Sequence, residues 1–359
     1  MWIIRSAFTV CFCALVVGAG AFSIQARAEP LNQAFFVETG DSTILQIAEG
    51  HKKKKKKKKK KRSVRPQADA PRYQGVLSDG HGHMKGNKAS IEATIEAMDR
   101  NNIDRVVIWV KRQGGWTDKD TLAFKAAYPD RVVAGIAFQN SGWTKDEPGF
   151  LDEVGKKAAS GRFAWLGELS VRGKIGGKLN QEPDSPRIRR VLGIAEKYNM
   201  PVQIHHNPWD GPGGGEDGDW TRTDEFETFV EASLASNPRA TVVWAHWCGL
   251  NRPGEIKKLL DRFPNLNCEL AWIHKKRKSL PTKLVNKSAQ FPPKWKKLLE
   301  AYPGRFVMGV DSSATPKNIR DYDWRVDVIR TALGGLSPKT ARKLATENFH
   351  RLANMPRRK

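Results

Sequence analysis

From residue 74 onward, short apolar runs rich in β-branched residues alternate strictly with amphipathic segments. Strict alternation of strand and helix is typical of a parallel sheet. Eight βα units in about 290 residues predict a (β/α)8 TIM barrel. A doubly wound open sheet is the alternative, but no glycine-rich phosphate-binding fingerprint follows the first run. The predicted strands cover 75–79, 105–110, 131–138, 163–170, 201–205, 240–246, 266–272 and 305–311. The predicted helices cover 90–101, 118–127, 147–159, 186–199, 224–235, 254–263, 293–301, 324–333 and 338–352.

The N-terminal residues carry a different pattern. A basic start with Arg5, an apolar stretch over 7–22 and the sequence Ala26-Arg27-Ala28 predict a signal peptide over 1–28, with cleavage after Ala28. The apolar stretch is shorter than the ~20 residues of a bilayer span, although an uncleaved anchor is the alternative. We therefore expect a secreted or periplasmic protein of the general export route, whose barrel covers 73–359.

Residues 29–72 predict a disordered linker. It contains ten consecutive lysines, 52–61, within a chain of net charge +24. Such a run repels itself and cannot form a core. It is suited to an anionic membrane surface, with a solvated spacer as the alternative. Because no aromatic residue interrupts the lysines, specific nucleic-acid binding is not expected.

Two of the four cysteines, Cys248 and Cys268, remain after removal of the signal peptide. One pair in so long a chain is not a disulfide framework, even in an oxidising compartment. We therefore predict that both are free, buried thiols.

Metal-binding residue types end several of the predicted strands. Asp79, His81 and His83 lie on one face of the first strand, because side chains alternate along a strand. Five of the eight histidines in the chain lie at strand ends. The carboxyl ends of barrel strands meet at one face, where active sites lie. Imidazoles with carboxylates suit Zn²⁺, and also Mn²⁺, Fe²⁺ or Co²⁺. The other strand ends carry Glu168, His205 with His206, His246 and Asp311.

In this order, the motifs resemble the amidohydrolase superfamily of metal-dependent hydrolases. The resemblance covers 76–352 and is greatest to the amidohydrolase-related branch, which includes decarboxylases and lactone hydrolases. It implies a TIM barrel that holds one or two divalent ions, most simply Zn²⁺. The motifs are Asp79-x-His81-x-His83, Pro-Val-Gln-Ile-His205, Val-Val-Trp-Ala-His246, Val307-Met-Gly-Val-Asp311 and Asn348-x-x-Arg351-Leu.

The resemblance also implies roles for single residues. Asp311 would be both a ligand and the catalytic acid and base, and His246 a second ligand or an orienter of the substrate oxygen. Glu168 would either bridge two ions or, beside a single ion, support the site or contact the substrate. Asp79 is expected to support the histidines rather than bind metal. The metal ligands implied are His81, His83, His205, Glu168 and Asp311.

The loops after the strands are expected to bind a small-molecule substrate. Lys111 and Arg172 are candidates for binding a substrate carboxylate, and Trp247 for an aromatic wall of the pocket. The glycine-rich stretch 207–222 is a candidate lid. We expect a metal-dependent hydrolase of a small organic amide, ester or lactone. The alternatives are a decarboxylase of the same superfamily and an inert barrel used as a polybasic surface-binding protein.

Overall fold

The structure is a computed structural model, and it describes most of the chain from residue 63 to residue 355. The predicted signal peptide, the poly-lysine run, Lys111 and the candidate lid lie outside the described residues. The gaps within the described range are 85–87, 111–116, 139, 174–178, 181–184, 207–223, 272, 274–282 and 313–314.

Eight parallel strands form one sheet in sequential order. They are β1 Leu77–Met84, β2 Ile103–Val110, β3 Val132–Ala137, β4 Trp165–Ser170, β5 Val202–His205, β6 Val242–Trp244, β7 Leu266–Glu269 and β8 Phe306–Val307. The last strand returns to the first, since the Gly80 amide donates to the Met308 carbonyl at 2.8 Å and Gly82 bridges to Ser312. The predicted TIM barrel is therefore confirmed.

A helix follows each strand. They are α1 Lys88–Arg100, α2 Asp118–Ala127, α3 Phe150–Ala159, α4 Pro186–Lys197, α5 Asp224–Ser236, α6 Pro253–Arg262, α7 Pro293–Ala301 and α8 Ile319–Gly334. Short polar caps fix several starts, such as Thr117 before α2 and Ser185 before α4. The chain ends in Pro338–Arg342, a π-helical turn Lys343–Glu347 and Asn348–Leu352. Within the described ranges, every helix is too short or too polar to cross a bilayer.

Aromatic side chains fill the inside of the barrel below its carboxyl end. The rings of Trp109 and Trp165 pack edge to face at 6.2 Å, and Phe349 from the C-terminal helix lies 5.9 Å from Trp165. Gly135 makes room for this packing, because a Cβ there would lie 2.4 Å from the Trp109 indole nitrogen. The result is a solid floor beneath the strand ends.

The segment before the barrel also packs against it. Val64 is buried, the Arg65 amide donates to the Lys287 carbonyl at 2.9 Å, and Arg72 forms an ion pair with Asp327. The folded unit therefore begins before the predicted boundary at residue 73. The sequence could not predict this packing, because the segment is too short and too polar to show the hydrophobic periodicity of a strand or helix.

Cys248 and Cys268 form a disulfide, so the prediction of free thiols is wrong. The reason lies in the barrel topology. Trp244, at the end of β6, is in register with Cys268 on the adjacent β7. The turn that follows β6 brings Cys248 next to Cys268. Counting cysteines could not reveal this proximity.

At the amino-terminal end of the barrel, Asp104 ties the C-terminal helix to β1 and β2. Its carboxylate accepts hydrogen bonds from Ser78 at 2.6 Å and from His350 Nε2 at 2.9 Å. Burial raises the pKa of Asp104, but the bonds from His350 and Ser78 outweigh it and keep the pKa below its usual value. The stabilisation is therefore present above the ordinary carboxylate pKa and is lost as the pH falls through the lowered one.

We expect Asp104→Ala to lower the free energy of unfolding by about 2–4 kcal/mol, because it leaves buried donors unpaired. Urea unfolding at neutral pH measures the change. The control is Asp130→Ala, which removes an 83% exposed carboxylate lying 3.7 Å from Arg105, and should change stability by no more than about 0.5 kcal/mol. Equal effects of the two substitutions would contradict the assigned role of Asp104.

Candidate metal centre

Six side chains from five strand ends converge at the carboxyl end of the barrel. Every residue predicted as a metal ligand or catalytic group is among them, and their potential ligand atoms form three overlapping groups of close neighbours. Most are buried, while Asp311 and His205 keep 14% and 12% of their side chains exposed. The six are His81, His83, Glu168, His205, His246 and Asp311.

The six side chains can be divided into two ligand groups that share Glu168 and Asp311, and the first group surrounds the two histidines of β1. The Nε2 atoms of His81 and His83 lie 3.0 Å apart. Glu168 Oε2 lies 3.6 Å from His81 and 3.4 Å from His83. Asp311 Oδ1 completes the group at 3.5 Å from His81 and 3.3 Å from His83.

The second group uses the other oxygens of the same two carboxylates. Glu168 Oε1 lies 2.6 Å from His205 Nδ1 and 3.8 Å from His246 Nε2. Asp311 Oδ2 lies 3.5 Å from His246 Nε2. Glu168 and Asp311 therefore each face both groups, one oxygen on each side.

The donor set fits divalent metal ions. Two ligands bonded to zinc at ~2.1 Å with tetrahedral angles lie roughly 3.4 Å apart. The first group matches this spacing closely. In the second group His205 contacts Glu168 directly as a hydrogen bond, so a metal ion there requires a small shift of the imidazole. Imidazole and carboxylate together suit Zn²⁺ and its neighbours in the first transition row.

The charges of the six side chains are strongly coupled. Burial lowers the pKa of His81, but Asp311, Glu168 and Glu269 outweigh it and raise the pKa well above its usual value. Burial raises the pKa of Glu168 and of Asp311, yet the neighbouring imidazoles hold both pKa values well below the usual range. Both carboxylates are therefore ionised at neutral pH, which is the form that binds a cation.

Asp79 supports the site from below. Its Oδ1 accepts from the His81 amide at 3.0 Å and from the Val310 amide at 2.8 Å. Its Oδ2 accepts from the Tyr322 hydroxyl at 3.0 Å. Asp79 thus holds β1 against the segment that leads to Asp311, as expected from the sequence, and is absent from the groups of potential ligand atoms.

His246 stands on an unusual backbone. His246, Trp247, Cys248 and Gly249 all have φ between 55° and 67°, which makes a left-handed turn directly after β6. A Cβ at Gly249 would lie 2.4 Å from the side chain of Trp244. The turn projects His246 towards the other ligand atoms, and such strain is typical of functional sites.

The sequence interpretation missed Glu269 and Gln203. Glu269, at the end of β7, is fully buried, and its Oε2 lies 3.2 Å from His81 Nδ1. The amide of Gln203 on β5 lies 2.9 Å from the same nitrogen, and a 180° rotation of that amide presents its oxygen. Both therefore suit a His81 that carries its proton on Nδ1 and keeps Nε2 free for a ligand bond. The sequence signal that could have identified Glu269 is the presence of an acidic residue within the apolar run 266–272.

The other predicted residues lie apart from the six. His206, next to His205, is buried and stacks on Trp244 at 6.2 Å. Trp247 is also buried, and its indole donates to the Ala271 carbonyl and packs edge to face on Trp295. This places Trp247 in the packing between β6 and α7 rather than at an open surface. Arg172 belongs to a short antiparallel ladder after β4, and only its backbone is described.

Solved structures share the fold at low sequence identity. 2,6-Dihydroxybenzoate decarboxylase from Rhizobium has a TM-score of 0.52 and 14% identity, covering 79% of this chain and 99% of that one. A probable 2-pyrone-4,6-dicarboxylic acid hydrolase from Acinetobacter baumannii has a TM-score of 0.51 and 12% identity, covering 78% and 99%. An amidohydrolase from Burkholderia multivorans, solved with bound zinc, has a TM-score of 0.50 and 14% identity, covering 79% and 100%.

These neighbours confirm the fold that the resemblance to the amidohydrolase superfamily implies. At such low identity they show the fold alone. No protein-family model matches the sequence, and no curated protein matches it.

Replacing His83 by alanine should reduce the metal content of the purified protein by at least one ion per chain, because it removes one of the first group of ligand atoms. Elemental analysis measures this. The matched control is His206→Ala, which removes a buried histidine that lies outside both groups. Circular dichroism checks that both variants fold, and equal metal content in the two would contradict the site.

Proposed function

We propose that this protein is a metal-dependent hydrolase of amidohydrolase type that acts on a small organic amide, ester or lactone. The observation that supports it most is the pair of ligand groups joined by Glu168 and Asp311 at the carboxyl end of the barrel. In barrels of this kind, active sites lie at that end.

His81 with His83 would hold one divalent ion, and His205 with His246 would hold a second. Glu168 presents one oxygen to each pair of histidines. Such ions would lower the pKa of water towards ~7 and polarise a carbonyl. The protein's own part is to keep the two carboxylates ionised and the six side chains oriented and largely shielded from solvent.

Asp311 is the group that we propose moves the proton. The imidazoles hold its pKa well below the usual range and so keep it ionised, which is the form that accepts a proton. It is also the site carboxylate with some exposure, 14% of its side chain, so it faces the side from which a substrate arrives. His246 Nε2, 3.5 Å from Asp311 Oδ2, is placed to orient that carboxylate or the substrate oxygen.

Decarboxylation is the second candidate function. It is favoured by the shared fold with 2,6-dihydroxybenzoate decarboxylase, which aligns over 79% of this chain. A metal ion held by the same ligands would be able to bind a substrate carboxylate instead of activating water. The third alternative, an inert barrel, fits poorly with a buried cluster of ionisable groups, since burying these is costly unless they are paired or bind a metal.

The reaction type is tested by turnover in ¹⁸O-labelled water across a panel of lactones, amides and aromatic carboxylates. We expect one labelled oxygen per product carboxylate and no release of carbon dioxide. Asp311→Asn should lower kcat by about 10²–10⁴-fold on the substrate so identified, while Asp130→Asn should leave it unchanged. Carbon dioxide release without incorporation of ¹⁸O would contradict hydrolysis and favour the decarboxylase.

A further inference from the structure

The left-handed turn that carries His246 has an unfavourable backbone conformation, so other contacts must stabilise it. Three of its residues, His246, Trp247 and Cys248, have a Cβ, which makes the left-handed region unfavourable for them. The backbone hydrogen bonds of a right-handed α-helix do not stabilise this left-handed conformation. Contacts to β7 are therefore needed to keep His246 in place.

Glu269 supplies one of these contacts. Its Oε2 accepts from the backbone amide of His246 at 3.2 Å, and the same oxygen lies 3.2 Å from His81 Nδ1. One buried carboxylate oxygen thus orients a histidine of the first ligand group and the backbone of a histidine of the second.

The disulfide supplies the other contact. Cys248 lies two residues after His246, and Cys268 immediately precedes Glu269. Both cysteines are fully buried. The bond therefore joins the turn to β7 at the point where Glu269 points into the site.

The surroundings fix Glu269 tightly. Its Oε1 is buried and has no hydrogen-bond partner among the described residues. A Cβ at Gly309 would lie 2.1 Å from Oε1 and 2.8 Å from His81 Cβ. A buried acid with an unpaired oxygen is destabilising, which indicates that the residue is kept for the site rather than for the fold.

We propose that Glu269 and the Cys248–Cys268 disulfide form one clamp that positions His81 and His246 for metal binding. This inference rests on the proposed metal-dependent function and adds a positioning residue that lies outside both ligand groups. Glu269 acts on both groups, whereas the disulfide acts on the turn and hence on the group that contains His246.

Titration of the metal-free full chain with Co²⁺ against a chromophoric chelator tests the role of Glu269. Glu269→Ala should weaken binding of both metal equivalents by about 10–100-fold, the usual effect of losing such a supporting contact. Glu269→Gln keeps an acceptor oxygen and should recover part of this loss. The visible absorption of bound Co²⁺ should change in both variants, because the histidines turn. Glu300→Ala, which removes a carboxylate that binds Ser337 and Thr340 away from the site, is the control.

The double variant Cys248→Ala with Cys268→Ala tests the disulfide. It should weaken binding of the metal equivalent held by His205 and His246 by about tenfold or more and have a smaller effect on the other, since the bond holds the turn that carries His246. Thermal unfolding of the metal-free variants separates the two possible roles. A merely structural clamp would lower the melting temperature without changing either Co²⁺ affinity.

The outcomes also separate this inference from the proposed function. If the wild-type chain binds no Co²⁺, the metal-dependent function itself fails. If the wild-type chain binds Co²⁺ and the Glu269 and cysteine variants bind it equally well, the function stands and the clamp is overturned.

Discussion

Two carboxylates shared between two sets of imidazoles are the interaction on which this structure depends. Glu168 and Asp311 each present one oxygen to the histidines of β1. The other oxygen of Glu168 faces His205 and His246, and the other oxygen of Asp311 faces His246. This sharing requires the ends of β1, β4, β5, β6 and β8 to meet within a few ångströms. A closed parallel barrel provides that meeting point, and aromatic side chains fill the barrel beneath it.

The barrel and most of the site could be predicted from the sequence, because both follow from local patterns. A period of one strand and one helix fixes the topology, and the strand ends then place His81, Glu168 and Asp311 at one face. The resemblance also placed the ligand at His205 rather than at His206, because the motif has its ligand directly after the apolar Ile204. In the structure, His205 joins the ligand groups and His206 stacks on Trp244.

What the sequence concealed depends on contacts between strands. The disulfide of Cys248 with Cys268 arises from the left-handed turn, and no local pattern predicts four successive residues with positive φ. Glu269 lies inside an apolar run, and from the sequence alone an acidic residue there suggests an interruption of the strand rather than a site residue. The packing of residues 63–72 on the barrel could not be predicted either, because single buried residues such as Val64 produce no periodic hydrophobic pattern in the sequence.

The disulfide also bears on where the protein resides. Such bonds persist in oxidising compartments, which is the kind of compartment to which the signal peptide predicted over 1–28 would direct the chain. Formation of the disulfide and assembly of the proposed site would be linked steps, because the bond holds the turn that carries His246.

The most direct test of the account is a crystal structure of the protein grown with zinc, with anomalous scattering measured at the zinc absorption edge. Two anomalous peaks are expected on either side of the Glu168 carboxylate, one within bonding distance of His81 and His83 and the other of His205 and His246. Density without an anomalous peak at these strand ends, or zinc bound only elsewhere on the chain, would contradict it.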